Sequence, residues 1–169
     1  DLGALGSAFN KSAARRQLEK LKKMGVNAIR TSHNPYAPSF LDVADEVGFL
    51  IDSEGFDMWE KNKTDYAYAN YFKEWAARDT ASWVRGDRSH VSVFMWSIGN
   101  EIYDTHQGNG LEISQKLVKL VKKHDTLRKL PTTIASNYIA WQGAQRCMQE
   151  VDLAGYNYTE RLYNEHHKT

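Results

Sequence analysis

Cysteine is almost missing: Cys147 stands alone among 169 residues, so no internal disulfide can form and cysteine usage leaves the redox compartment open. Charge of one sign is lacking too. The 22 Lys and Arg are matched by 21 Asp and Glu, for a formal net charge of +1. That balance generates no field to draw in nucleic acid or an anionic membrane, and neither is expected as a partner. Long hydrophobic runs are absent; a stretch such as Val91 to Ile98 is far too short to span a bilayer. No charged-then-apolar leader opens the sequence. A soluble chain is expected, with the parent's compartment, cytoplasmic, periplasmic or secreted, left open. No G-x-G-x-x-G or G-x-x-x-x-G-K-[ST] follows any strand-like run, which argues against a nucleotide site. There is no H-E-x-x-H, and His106, His166 and His167 lack Cys or Glu partners at ligand spacing. No cofactor is expected, and a structural Mg2+ has no motif behind it.

What is present is an alternation. Asn10 precedes Ala14, Leu18 and Leu21 at helical spacing, closing at Met24 and Gly25, a capped amphipathic helix. Val26 to Arg30 reads as a short buried strand. Pro35 and Pro38 open a helix through Phe40, Leu41, Val43, Ala44 and Val47 that Gly48 ends, and Phe49 to Asp52 is the next strand. The pattern continues with a helix over 66–84, a strand over 91–96, a helix over 111–127 broken by Pro131, and a strand over 132–135. A helix over 141–149, a strand over 151–155 and the start of a helix near Glu160 complete it. Strands apolar throughout and separated by helices indicate a parallel sheet. The polar clusters decide between an open sheet and a barrel. Arg30 to Asn34, Asp52 to Asp57, Ser97 to Glu101, Ser136 to Asn137 and Tyr156 to Tyr158 all lie just past the carboxyl end of a strand, where barrel enzymes keep their chemistry. A complete eight-fold barrel needs roughly 250 residues, so five strands here predict a partial barrel.

Trp96-Ser97-Ile98-Gly99-Asn100-Glu101 carries the most chemistry. It leads a strand out of an apolar core and ends on an amide beside a carboxyl. Glycosidic cleavage needs an acid, in a partly dry setting that raises its pKa, to protonate the leaving oxygen. The longer stretch His90 to Glu101 resembles the acid/base signature of glycoside hydrolase family 2, which includes β-galactosidases, β-glucuronidases and β-mannosidases. Gly25 to Pro35 resembles the family's other signature, at the second barrel strand. Asp1 to Gly6, Glu54 to Trp59 and Gly155 to Tyr158 are similar to further parts of the family pattern.

The resemblance implies an α/β, TIM (β/α)8-barrel glycosidase domain, of which residues 1–169 form a part containing about five parallel strands, the family's strands 2 to 6, within a larger multidomain glycosidase. It implies that Glu101 is the general acid/base and that Asn100 hydrogen-bonds the sugar 2-hydroxyl. It further implies that His33 contacts the sugar in the transition state, and that Tyr158 bonds the nucleophilic carboxylate and the ring. Arg30 would lie under that carboxylate and keep it ionised. Asn34 and Glu54 would support these groups, and Asp57 and Trp59 would face the sugar. Two departures stand out. Ser53 replaces an acid common in the family, and Trp59 stands near where some β-galactosidases place a sugar-contacting His.

The family's nucleophile is a Glu ending the seventh strand. Arg161 to Thr169 resembles the helix before that strand, so the nucleophile is expected to be absent from this chain and the chain alone to be inactive. The substrate implied is a carbohydrate with a terminal β-linked sugar, cleaved in β-galactosidase-like manner with retention. Two alternatives are a non-catalytic carbohydrate-binding barrel and an endo-acting β-glucanase or mannanase of the same clan. Exposed barrel edges at 26–30 and 151–155 favour homo-oligomerisation of the isolated chain. Three N-x-S/T triplets, beginning at Asn10, Asn62 and Asn157, are read as coincidental.

Overall fold

The computed structural model describes residues 3–168; Asp1 and Leu2 of the opening motif, and Thr169, lie outside the described residues. Helix α1 (Lys11–Lys23) starts where the Asn10 side chain accepts a hydrogen bond from the Ala13 amide at 2.9 Å, relieving one of the unpaired amides of the first turn. It buries Ala14 and Leu18, and ends on Lys20, Lys22 and Lys23, cations that suit the negative end of the helix dipole. Strand β1 (Ala28–Arg30) follows. Helix α2 (Pro38–Val47) opens on its proline and is closed by Gly48 in the left-handed conformation, φ 81°, a geometry costly for any residue with a Cβ. Then come β2 (Leu50–Glu54), α3 (Ala69–Asp87), β3 (Val93–Asn100), α4 (Asp104–Gln107), α5 (Gly110–His124), β4 (Thr132–Ser136), α6 (Gln142–Met148), β5 (Leu153–Tyr156) and α7 (Tyr163–His166).

All neighbouring strands pair in parallel, in the spatial order β1-β2-β3-β4-β5. That order decides the architecture. A doubly wound sheet reverses direction at a switch point, whereas steady progression with right-handed crossovers places successive helices on one face. The sheet is therefore a five-stranded sector of a TIM barrel, with helices outside and the strands' other face turned inward.

The main core fills the space between sheet and helices. Trp83 of α3 meets Trp96 of β3 edge-on, with ring centroids 5.4 Å apart at 89°, and Phe56 packs against both Phe72 and Trp83. Truncating aromatic rings buried in this way typically costs about 3–5 kcal/mol. Polar atoms in this layer are paired: Trp96 Nε1 donates to Asp125, and Trp83 Nε1 donates to Ser53 Oγ, which in turn donates to Asp87. Ser53 thus points outward to the helices, and the acid beside it, Asp87, arrives from α3.

Because side chains alternate along a strand, Asp52 and Glu54 point the other way, into the barrel interior with Arg30 and Ser97. Two register shifts modify the pleat, one between Ile51 and Asp52 against β3 and one between Ser97 and Asn100 against β4. Bulges of this kind re-aim side chains at strand ends. The second occurs where a glycine is required: a Cβ on Gly99 would come within 2.7 Å of Ile102 and 3.1 Å of Trp59 Nε1.

The elements begin and end close to where apolar periodicity places them, with shifts. The helix expected from Tyr66 starts at Ala69, and the last strand runs 153–156 instead of 151–155. Strand β3 continues four residues past Trp96. Hydropathy misses that extension because Ser97 and Asn100 are polar side chains satisfied by other polar groups inside the barrel.

Candidate active site

Glu54 is the hub of the carboxyl-end cluster. It is wholly buried, and its carboxylate accepts from Arg30 Nε at 2.8 Å, Arg30 Nη2 at 3.3 Å and Ser97 Oγ at 2.6 Å. Its Oε1 also lies 2.6 Å from His33 Nδ1. A carboxylate at that distance assigns the proton to Nδ1, which directs Nε2 away from Glu54. Arg30 continues the chain: its Nη2 donates to Asn100 Oδ1 at 2.6 Å. A buried carboxylate needs such compensation, since an unpaired one is strongly penalised.

Asn100 is held from four sides. Its Oδ1 accepts from Arg30 and from Asn157 Nδ2, its Nδ2 donates to Asp57 at 3.0 Å, and its backbone carbonyl accepts from Lys63 Nζ at 2.8 Å. Lys63 also donates to Asp57 at 2.8 Å. Burial pushes the Asp57 carboxyl up, but hydrogen bonds from Lys63 and Asn100, with the charges of Lys63 and His33, outweigh it and hold the pKa below the ordinary range.

Glu101 follows at the rim, half-buried. Its backbone takes φ 46° and its amide donates to the Ala135 carbonyl at 2.7 Å, while Asn157 Nδ2 donates to Oε1 at 3.0 Å. Of the three positive-φ non-glycine residues described, two are Glu101 and Tyr158, at φ 46° and 59°. Both sit just past strands β3 and β5. Backbone held in this sparsely populated region costs about 1–3 kcal/mol and tends to mark places where a side chain must be aimed.

The structure brings Arg30, His33, Glu54, Asp57, Asn100 and Glu101 into one connected network. Asn34, whose Nδ2 donates to the Pro35 carbonyl, shares with His33, Asp57 and Met58 a cleft of about 440 Å³ that extends to Tyr68 and Trp83. Glu101 is not among that cleft's walls; it faces the β4–β5 side of Asn100. One expected residue is placed differently. Trp59 is 0% exposed and its Nε1 donates to the Ile98 carbonyl at 2.8 Å, so it lies beneath the cleft and does not face a sugar; Met58 lines the cleft in its stead. Tyr158 is 83% exposed, and the expectation for it, a bond to the nucleophilic carboxylate, does not involve Glu101, which its neighbour Asn157 reaches instead.

Lys63 joins this network without having been singled out in the sequence, and Ser97 and Asn157, which the sequence places in strand-end polar clusters, had been given no individual role. The sign for Asn157 was its position, immediately past a strand as Asn100 is. Among the described residues five buried side-chain atoms lack a hydrogen-bond partner, on Asp52, Ser92, His106, Asn137 and Thr159, and Asp52 Oδ1 is the one from a carboxylate. Burial, then the charge of Glu54, push its carboxyl up to about 7 against the pull of Arg30. Among the described residues no three His, Cys, Asp or Glu side chains are grouped to hold a metal ion, and no helix is long and apolar enough to cross a membrane.

A parallel barrel sector whose strand ends converge on carboxylates, amides and a guanidinium defines a TIM-barrel domain with a polar cluster at the strands' carboxyl ends, where barrel enzymes keep their chemistry. The particular family follows from comparison with known proteins: residues 3–168 match the TIM barrel domain of glycosyl hydrolases family 2, and the chain belongs to that family. The chain is 55% identical over 104 residues to β-galactosidase BoGH2A of Bacteroides ovatus, covering 62% of this chain and 12% of that protein. With the β-glucuronidase of Streptococcus agalactiae it shares 30% over 175 residues, 95% of this chain and 28% of that protein. A crystal structure of a family 2 glycosyl hydrolase from Bacteroides cellulosilyticus superposes with a TM-score of 0.93 at 38% identity, covering 99% of this chain and 21% of the other. The chain therefore spans between about an eighth and under a third of the length of these relatives.

Proposed function

We propose that these residues supply the acid/base and much of the sugar pocket of a larger, retaining, exo-acting β-glycosidase. The observation that carries this reading is the aimed carboxylate of Glu101, held by Asn157 through one oxygen and placed beside the Arg30–Glu54–Asn100 network. In this reading Oε2 of Glu101 donates its proton to the leaving oxygen and later takes one from water. Asn100, fixed by Arg30 and Asp57, keeps one amide hydrogen for a sugar hydroxyl. His33 Nε2 is the second polar contact, with Nδ1 anchored on Glu54.

Retention needs a nucleophilic carboxylate about 5–5.5 Å from the acid. Glu54 is wholly buried with both oxygens engaged, and Asp52 lies buried beside it on the same strand. Neither suits attack on a sugar. The nucleophile is accordingly assigned to a residue beyond Thr169, and residues 1–169 alone are expected to turn over aryl glycosides negligibly. The relatives include both β-galactosidases and β-glucuronidases. A neutral sugar of the galactose type is favoured by Asp57: its carboxylate borders the cleft and already occupies Lys63, which leaves that cation poorly placed for a uronate.

The test uses the full-length protein. Glu101→Gln should lower kcat/KM by about 10²–10⁴ for glycosides with poor leaving groups and far less for dinitrophenyl glycosides, whose departure needs no proton. An equal loss for both, or none, would remove Glu101 from the acid role. A wild-type protein that binds sugars without cleaving them would favour the binding-module alternative, and release of internal fragments from a β-glucan or mannan would favour the endo-acting one.

A further inference from the structure

Beyond the sugar pocket, the β4 side of Glu101 carries a cluster of rings with no place in the hydrogen-bond network. His106 of α4 lies on Tyr138, with centroids 4.0 Å apart at 39°, and meets Trp141 edge-on at 4.8 Å and 84°. Tyr138 is 5.9 Å from Trp141 and 6.1 Å from Tyr103. Trp141 is 55% exposed, whereas large aromatic side chains are more often tucked away.

The cluster adjoins the acid. Tyr103 follows Glu101 by two residues, and Tyr138 lies three residues beyond Ala135, whose carbonyl accepts the Glu101 amide. Burial raises the Tyr138 hydroxyl pKa, and the Glu101 charge acts in the same direction. The rings are also held in place. A Cβ on Gly143 would lie 2.6 Å from the Thr105 carbonyl oxygen, so the start of α6 sits directly on α4 and fixes Trp141 against His106. Burial lowers the His106 pKa against the opposing charge of Asp104, which keeps the ring neutral near pH 7. What the cluster offers outward is the exposed, uncharged ring of Trp141, braced by rings that stand at 57° and 84° to it.

Geometry gives that surface a use. A general acid must reach the oxygen between the departing group and the cleaved sugar, so the departing group lies on the acid's side, away from Arg30 and His33. We propose that Trp141, Tyr138, His106 and Tyr103 form the leaving-group subsite, which takes a second pyranose ring by stacking its C–H face on Trp141. This rests on the acid role given to Glu101.

The experiment compares, in the full-length protein, lactose with β-galactosyl fluoride, whose leaving group has no ring. In Trp141→Ala the ratio of the two kcat/KM values, lactose over fluoride, should fall at least tenfold, and Trp141→Phe should recover most of it. Wild-type activity on p-nitrophenyl galactoside that follows the lactose pattern would extend the subsite to aryl rings; a pattern like that of fluoride confines it to sugars. If Trp141→Ala slows lactose and fluoride alike, or neither, the subsite is overturned while the glycosidase reading stands. If the wild-type protein cleaves none of the three, the galactosidase reading falls and takes the subsite with it.

Discussion

The two flanks of Glu101 are made of different interactions. On the β1–β2 side, Arg30, His33, Glu54, Asp57 and Asn100 are linked by hydrogen bonds and ion pairs of 2.6–3.3 Å, and Glu54 is inaccessible to solvent. On the β4 side, Tyr103, Tyr138, His106 and Trp141 touch mainly through ring faces and edges. A buried charge network is mutual: each member is tolerated because the others are there, so removing one leaves a desolvated group behind. Stacked rings make no such demand, and one ring can stand in for another. The charged flank should therefore be intolerant of change and the aromatic flank adaptable, a division that suits a fixed sugar and a variable leaving group.

The largest effect that would break this comparison is at Glu54. Glu54→Gln removes the charge opposite Arg30 and the anion that orients His33; stability should fall by about 3 kcal/mol, read from the denaturant midpoint, with a loss of turnover. A variant as stable as wild type would show that the charged flank is not cooperative.

Asp52 sharpens the picture because it is the member whose charge is poorly matched. Its pKa in the folded protein is about 7 against 3.8 for an unstrained carboxyl. Between those values the folded chain keeps a proton that the unfolded chain gives up, so stability declines as pH rises through the window and the deficit is complete above about 7. Asp52→Asn, which cannot ionise, should exceed wild type by about 1–3 kcal/mol near pH 8, with the gain vanishing near pH 4. Denaturant melts of the chain across that range would read it, and a gain independent of pH would contradict the assignment. The smallest effect is at Trp59. Trp59→Phe loses the bond to the Ile98 carbonyl, about 1 kcal/mol, and should leave KM nearly unchanged in the full-length enzyme; a several-fold rise in KM would return Trp59 to the cleft wall.

Much of the fold was legible in the sequence because its punctuation is local. Asn10, Pro38, Gly48 and Pro131 mark helix ends by chemistry that acts within a few residues, and the apolar strands exclude solvent-facing alternatives. Arg30, His33, Glu54, Asn100 and Glu101 were singled out through the family resemblance, and the structure gathers them because all follow or end strands. What escaped reading depends on direction and not on position. Trp59 and Met58 are adjacent, and which one faces the cleft is settled by the loop after β2 and by the space Gly99 leaves. Asn157, just past β5, had no individual role in the sequence reading, and its amide is what reaches Glu101. Helix α4 is only four residues long, too short for any periodicity, and so the rings it helps to gather were invisible as a group.

The left-handed backbone at Glu101 and Tyr158 also speaks to how such a chain would drift. Selection for foldability alone would move both positions towards glycine or asparagine, the residues most at ease there. A glutamate and a tyrosine in that conformation, like Lys129 at φ 53°, each hold about 1–3 kcal/mol of backbone strain that a glycine would relieve.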